Sequence, residues 1–162
     1  MTELKLAQRM GRIQPSATLA LTARAKALRA EGKDVIALTA GEPDFSTPDA
    51  IRASAVSALQ AGGVVDRYTP ASGLPEVRKA VANKFKRDNG LDYAADQVMV
   101  NCGAKHSCFN LIAALVDEGD EVIIPAPYWV SYPQMVSFFG GKPVIVDTSA
   151  TGFVLTSDAL KA

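Results

Sequence analysis

An excess of either charge is missing from this chain: seventeen lysines and arginines balance seventeen aspartates and glutamates over 162 residues. A balanced surface carries no electrostatic footprint for nucleic acid or an anionic membrane, so neither is expected as a partner. Long apolar runs are missing too. No stretch approaches the roughly twenty residues that cross a bilayer. The opening Met1-Thr2-Glu3-Leu4-Lys5 lacks the apolar core of a secretory signal, and a cytoplasmic location is the expectation. Cysteine is scarce: Cys102 and Cys108 have neither zinc-ribbon spacing nor a disulfide framework around them. Free, buried thiols in a reducing compartment are expected. The single histidine, His106, has no second ligand at metal spacing. It reads as a helix-surface or core histidine, and no metal is expected. Internal repeats, low-complexity tracts and Ser- or Gly-rich linkers are also absent.

What is present is an ordinary globular composition, 48% hydrophobic and 21% charged, enough for one core or part of a larger one. A helix is expected over 16–32, with Ser16 capping its start and Gly32 its left-handed stop. A short buried strand is expected over 35–38. After a polar loop, Thr47-Pro48 signals a second helix that ends at Gly62-Gly63. An extended stretch, 64–70, leads to the turn Ala71-Ser72-Gly73. A third helix over 74–89 carries Val77, Val81 and Phe85 on one face and stops at Gly90. Strands over 97–101, 121–125 and 143–147 then alternate with helices over 104–116 and 128–139. That alternation implies an α/β fold with parallel pairing and a sheet covered on both faces. The segment 157–162 reads as a capped helix start that stops after barely one turn, so the chain is expected to be truncated at its C-terminal end.

Ligands gather at the C-terminal ends of parallel strands. Three loops fall there. Asn101-Cys102-Gly103-Ala104-Lys105-His106 joins a strand to a helix, and its small residues and helix-start N–H groups suit a phosphate, although packing alone also explains such a glycine. Pro125-Ala126-Pro127-Tyr128-Trp129 places two aromatics where a flat ring could stack; capping the core is the simpler role for them. In Ala40-Gly41-Glu42-Pro43-Asp44-Phe45, Gly41 would let its backbone reach a small substrate, and ordinary turn chemistry accounts for the rest.

Taken together, four segments resemble the class I pyridoxal-phosphate-dependent aminotransferases, in order and spacing, most nearly the bacterial aspartate aminotransferases. They are Leu38-Thr39-Ala40-Gly41-Glu42-Pro43-Asp44-Phe45-Ser46-Thr47-Pro48, Tyr68-Thr69-Pro70-Ala71-Ser72-Gly73-Leu74-Pro75-Glu76-Val77-Arg78, Cys102-Gly103-Ala104-Lys105-His106 with Phe109-Asn110, and Gly119-Asp120-Glu121-Val122-Ile123-Ile124-Pro125-Ala126-Pro127-Tyr128-Trp129-Val130-Ser131-Tyr132-Pro133.

The resemblance implies a partial fold type I pyridoxal-phosphate transferase: an N-terminal segment plus the first part of the large domain's mainly parallel sheet. Residues 1–47 would form the N-terminal arm and a small-domain portion, and 48–162 an incomplete large cofactor-binding domain. The implied cofactor is pyridoxal 5′-phosphate, the implied reaction amino-group transfer between an L-amino acid (aspartate or a relative) and a 2-oxo acid, and the implied assembly a homodimer. Gly103, Ala104 and Lys105 would hold the cofactor phosphate. Trp129 would stack on its ring and touch the substrate carboxylate, and Gly41 would offer its backbone to that carboxylate. Tyr68 would reach the partner subunit's cofactor phosphate. The family's Schiff-base lysine, the acid partner of the ring nitrogen and the carboxylate-binding arginine lie beyond position 162, so no catalytic residue is assigned here and the chain alone is expected to be inactive. Two other readings stay open: a catalytically inactive truncated remnant, and a non-covalent phosphate-ligand binding domain.

Overall fold

The computed structural model describes residues 5–39 and 41–161. Expectations attached to residues 1–4, to Ala40 in the first loop and to Ala162 lie outside them. The chain divides into two compact units, Met1–Gly41 with Cys108–Ala162, and Glu42–Ser107.

In the first unit, a 3-10 turn at Gln8–Arg12 precedes α1, Ala17–Ala30. The Ser16 side chain caps α1 as expected, accepting from the Leu19 N–H at 3.3 Å. The second half of α4, Ala104–Leu115, leads to β1, Glu121–Ala126; α5, Ser131–Phe138, then connects β1 to β2, Lys142–Asp147. The two strands are parallel, with Glu121 opposite Lys142 and Ala126 opposite Asp147. A helix between parallel strands packs back on them, and α5 does so with Met135 and Val136, which are buried together with Ile124 of β1. Phe109, Phe138 and Phe139 add a ring cluster with centroids 5.1–5.9 Å apart. Thr148 closes the C-terminal end of the sheet: its N–H and its hydroxyl both donate to the Ala126 carbonyl, at 3.2 and 2.7 Å. The last helix, α6, spans Ser157–Lys161 and is capped by the Thr156 hydroxyl rather than by Ser157.

The second unit holds α2, Asp49–Ala61, and α3, Pro75–Asn89, with 3-10 turns at Gly63–Asp66 and Ala95–Gln97. Pro75 opens α3 at a position where its missing N–H costs nothing. Gly90 closes it in the left-handed conformation, as the sequence implied. α3 packs on the Ala95–Gln97 turn, burying Ala82 and Val98, and Phe85 meets Tyr93 edge-on at 6.0 Å.

Two expected strands fail for one reason, and other expectations fail separately. The segments 35–38 and 97–101 are not strands. A strand exists only through a hydrogen-bonded neighbour, and among the described residues neither finds one. The Arg29 guanidinium takes the Val35 carbonyl instead, at 2.9 and 3.2 Å, and Ile36 and Leu38 stand exposed. In 97–101, Val100 gives its N–H to the Ser72 carbonyl in a loop contact of 3.0 Å. The described sheet therefore has two strands, and Ile124 is its only buried residue rather than one of two covered faces. The segment 64–70 begins as a 3-10 turn, not extended chain. α2 starts at Asp49 with Pro48 as its unbonded cap, so Thr47 does not cap it. Both cysteines are free, but Cys102 is exposed and Cys108 only half-buried, so the burial expected of them fails.

Asp147, at the end of β2, accepts the Ser149 N–H at 2.9 Å. The Ser149 backbone bond, then its side chain, hold the Asp147 carboxyl below its ordinary 3.8. A carboxyl with a lowered folded value stabilises the fold above the ordinary value and ceases to do so as pH falls through the lowered one. The thermal stability of the parent over Asp147→Asn is thus expected to be greatest near about pH 6 and to shrink below 3.8. A difference unchanged down to about pH 2 would contradict this assignment.

Candidate active site

Gly103 stands at φ +86°, in the left-handed region, and turns the chain into α4. A Cβ placed there would meet nothing within 4 Å, so the space before the turn is open and the glycine is required by backbone angle alone. The turn is braced from within. The Gly103 N–H bonds the Asn101 carbonyl at 2.8 Å, and Asn101 gives its side-chain amide to the Ser107 hydroxyl at 3.0 Å. His106 Nδ1 accepts the Cys102 N–H at 3.3 Å, which makes this exposed helix histidine a support of the loop. The first intrahelical bond runs from Ser107 N–H to Gly103 C=O at 3.3 Å. The N–H groups of a helix's first turn have no acceptor within the helix and carry the positive end of its dipole. Here that turn begins at Ala104.

The chain approaching this turn is held by contacts that sequence reasoning did not single out. Arg78 of α3 donates to the Ser72 hydroxyl at 2.5 Å, and Gly73 lies against Val100 so closely that a Cβ would sit 2.8 Å from the valine Cβ. The Gly73–Val100 contact has no local signature, because it joins segments 27 residues apart.

In the first unit, the loop after β1 carries Tyr128 and Trp129 into the start of α5, past a cis Ala126–Pro127 bond. Both rings are exposed, so the simple role of capping the core does not hold. Trp129 meets Tyr132 edge-on, centroids 5.5 Å apart at 87°. Gly41 is exposed in the same unit, with open space where a Cβ would be. Tyr68, in the second unit, is fully exposed. Thus Gly103, Ala104 and Lys105 form one continuous turn, while Gly41 and Trp129 share the other unit. Among the described residues no group of three or more His, Cys, Asp or Glu side chains could hold a metal ion, and no helix is long and apolar enough to cross a membrane.

Comparison with known proteins bears on this arrangement directly. Residues 33–162 match the family described as aminotransferase class I and II. The chain belongs to that family. It is 49% identical over 157 residues to the aspartate aminotransferase of Bacillus sp. (strain YM-2), covering 96% of this chain and 40% of that one. It is 50% identical over 158 residues to the aspartate/prephenate aminotransferase of Cereibacter sphaeroides, covering 97% of this chain and 39% of the relative. The crystal structure of the aspartate aminotransferase from Rhizobium meliloti superimposes with a TM-score of 0.90 at 44% identity, over 98% of this chain and 40% of that one. The chain therefore spans about 40% of the length of the relatives it matches. Its α/β architecture is part of the fold type I aminotransferase fold.

Aminotransferases of this family depend on pyridoxal 5′-phosphate. The residues present fit its phosphate. The left-handed Gly103 leaves the approach to the α4 N-terminus clear, and a helix start of this kind takes an anion through its N–H groups.

Proposed function

We propose that the chain contributes the cofactor-phosphate and ring contacts of a pyridoxal-phosphate-dependent transaminase, which moves an amino group between an L-amino acid (aspartate or a relative) and a 2-oxo acid. The observation that carries this reading is the open, left-handed Gly103 turn at the head of α4, inside the segment that matches the family. Residues 1–47 are read as arm and small-domain portion, and 48–162 as part of the large cofactor domain. Gly103 shapes the turn with its left-handed backbone, and the backbone at Ala104 and Lys105 binds the phosphate, with the Lys105 ammonium adding charge nearby. Trp129 offers its ring for stacking and its indole N–H to a carboxylate. Gly41 presents its backbone to the same carboxylate. Tyr68, fully exposed, is free of intramolecular packing and suits a contact across a homodimer to the partner's phosphate. When bound, the cofactor supplies the electron sink for amino transfer. No residue of this chain is assigned to the Schiff base, and turnover by these 162 residues alone is not expected. A cytoplasmic setting accords with such a role.

The test uses a probe that has no aldehyde and so cannot label lysines at random. Titrated into the chain, pyridoxine 5′-phosphate is expected to bind at least about tenfold more tightly than pyridoxine, since one charge-assisted contact is worth roughly 1.5–3 kcal/mol. Equal affinities would overturn the phosphate assignment and with it this reading.

A further inference from the structure

The turn that opens α4 is tied to α3 by a chain of contacts, all within the second unit, Glu42–Ser107. Arg78 stands in the first turn of α3, and its Nη1 donates to the Ser72 hydroxyl at 2.5 Å. The Ser72 carbonyl in turn accepts the Val100 N–H at 3.0 Å. Gly73, whose N–H bonds the Pro70 carbonyl at 2.9 Å, lies against the Val100 side chain. Asn101 follows. Its carbonyl accepts the Gly103 N–H at 2.8 Å, and its side-chain amide reaches the Ser107 hydroxyl of α4 at 3.0 Å. The same helix supports the chain before Val100, where α3 packs on the Ala95–Gln97 turn and Ala82 and Val98 are buried.

We infer that Arg78 is a positioning residue for the cofactor-phosphate turn: through Ser72 it fixes where the N–H groups at the head of α4 meet the phosphate. The inference rests on the transaminase reading above and adds to it a residue that acts through another. A hydrogen bond from a guanidinium is charge-assisted, and such bonds are short and strong. Arg78 Nε is buried with no hydrogen-bond partner among the described residues. A buried donor without an acceptor works against the fold, so stability alone is a poor reason for an arginine here. Preorganisation is a better one. N–H groups aimed at an anion contribute fully only where the backbone is held in place before the anion arrives. A ligand without a phosphate makes no use of the turn, so the effect of Arg78 is confined to phosphorylated ligands.

The intact chain and its variants are titrated with pyridoxine 5′-phosphate and, separately, with pyridoxine. Ser72→Ala deletes the acceptor and leaves every charge in place. It should weaken pyridoxine 5′-phosphate by about three- to tenfold and leave pyridoxine unchanged. Arg78→Met should do the same, and the double variant should be no weaker than the weaker single one, since both break one bond. Arg78→Lys keeps a donor and the charge and should recover most of the preference. A purely structural role predicts instead a lowered urea midpoint with both ligands weakened together. Amide exchange gives a reading that needs no ligand. Val100 and Gly103 should exchange faster in Ser72→Ala, while the amides of α3 keep their rates. A phosphate preference that survives in Ser72→Ala, equal weakening of both ligands, or unchanged exchange at Val100 and Gly103 overturns the inference. Failure of the transaminase reading has a different signature. The unsubstituted chain would then bind the two ligands alike, and Arg78 would have no phosphate turn to position.

Discussion

Gly103→Asp is expected to weaken pyridoxine 5′-phosphate binding by about 30-fold, down to the level of pyridoxine, because it replaces an open anion site with a carboxylate. The loss corresponds to ~2 kcal/mol, the net worth of one hydrogen bond to a charged group. Helix α4 should survive the change. Aspartate is among the favoured residues at helix starts and tolerates left-handed backbone better than most. Gly103→Asn carries the same shape without the charge. It shares any strain from the φ of +86° but should keep most of the phosphate preference. If the Asp variant binds the phosphate like its parent, the anion does not sit at the α4 turn. If Asn loses as much as Asp, backbone strain rather than charge is responsible.

The largest effect on stability is expected at Gly73. Its φ of +98° disfavours any side chain, at about 1–2 kcal/mol for a residue with a Cβ. A Cβ there would also lie 2.8 Å from Val100 Cβ and 3.0 Å from its Cγ2, and the Val100 Cβ, bonded to the backbone, cannot swing aside. Overpacking of this kind adds about 1–3 kcal/mol. Gly73→Ala should therefore cost the second unit about 3 kcal/mol, read as a lowered urea midpoint. Gly103→Ala is the comparison: also left-handed, but with nothing within 4 Å of its Cβ, it pays strain alone. Equal losses for the two variants would mean that the Val100 contact yields and that the Ala71-Ser72-Gly73 turn is looser than it looks.

Much of the helical framework and the family were legible in the residues. The Ser16 cap, Pro75 at the head of α3 and Gly90 at its end act within one turn of chain, so local sequence decides them. The four motifs were readable for the same reason, since each is a continuous run. The strands were only half legible. The segments 121–125 and 143–147 find each other as β1 and β2 across α5. The equally apolar 35–38 and 97–101 find no neighbour among the described residues and stay irregular.

By itself, then, the sequence determined the main helices, several of their ends and membership of the aminotransferase family. The tertiary structure decided which extended segments became strands, that Cys102, Tyr128 and Trp129 stand exposed, and that the Gln134 side chain accepts the Gln14 N–H. The physical reason is range. A cap or a turn is settled by groups three or four residues apart. Pairing, exposure and a tertiary bond depend on atoms brought together from distant parts of the chain, such as the 120 residues between Gln14 and Gln134.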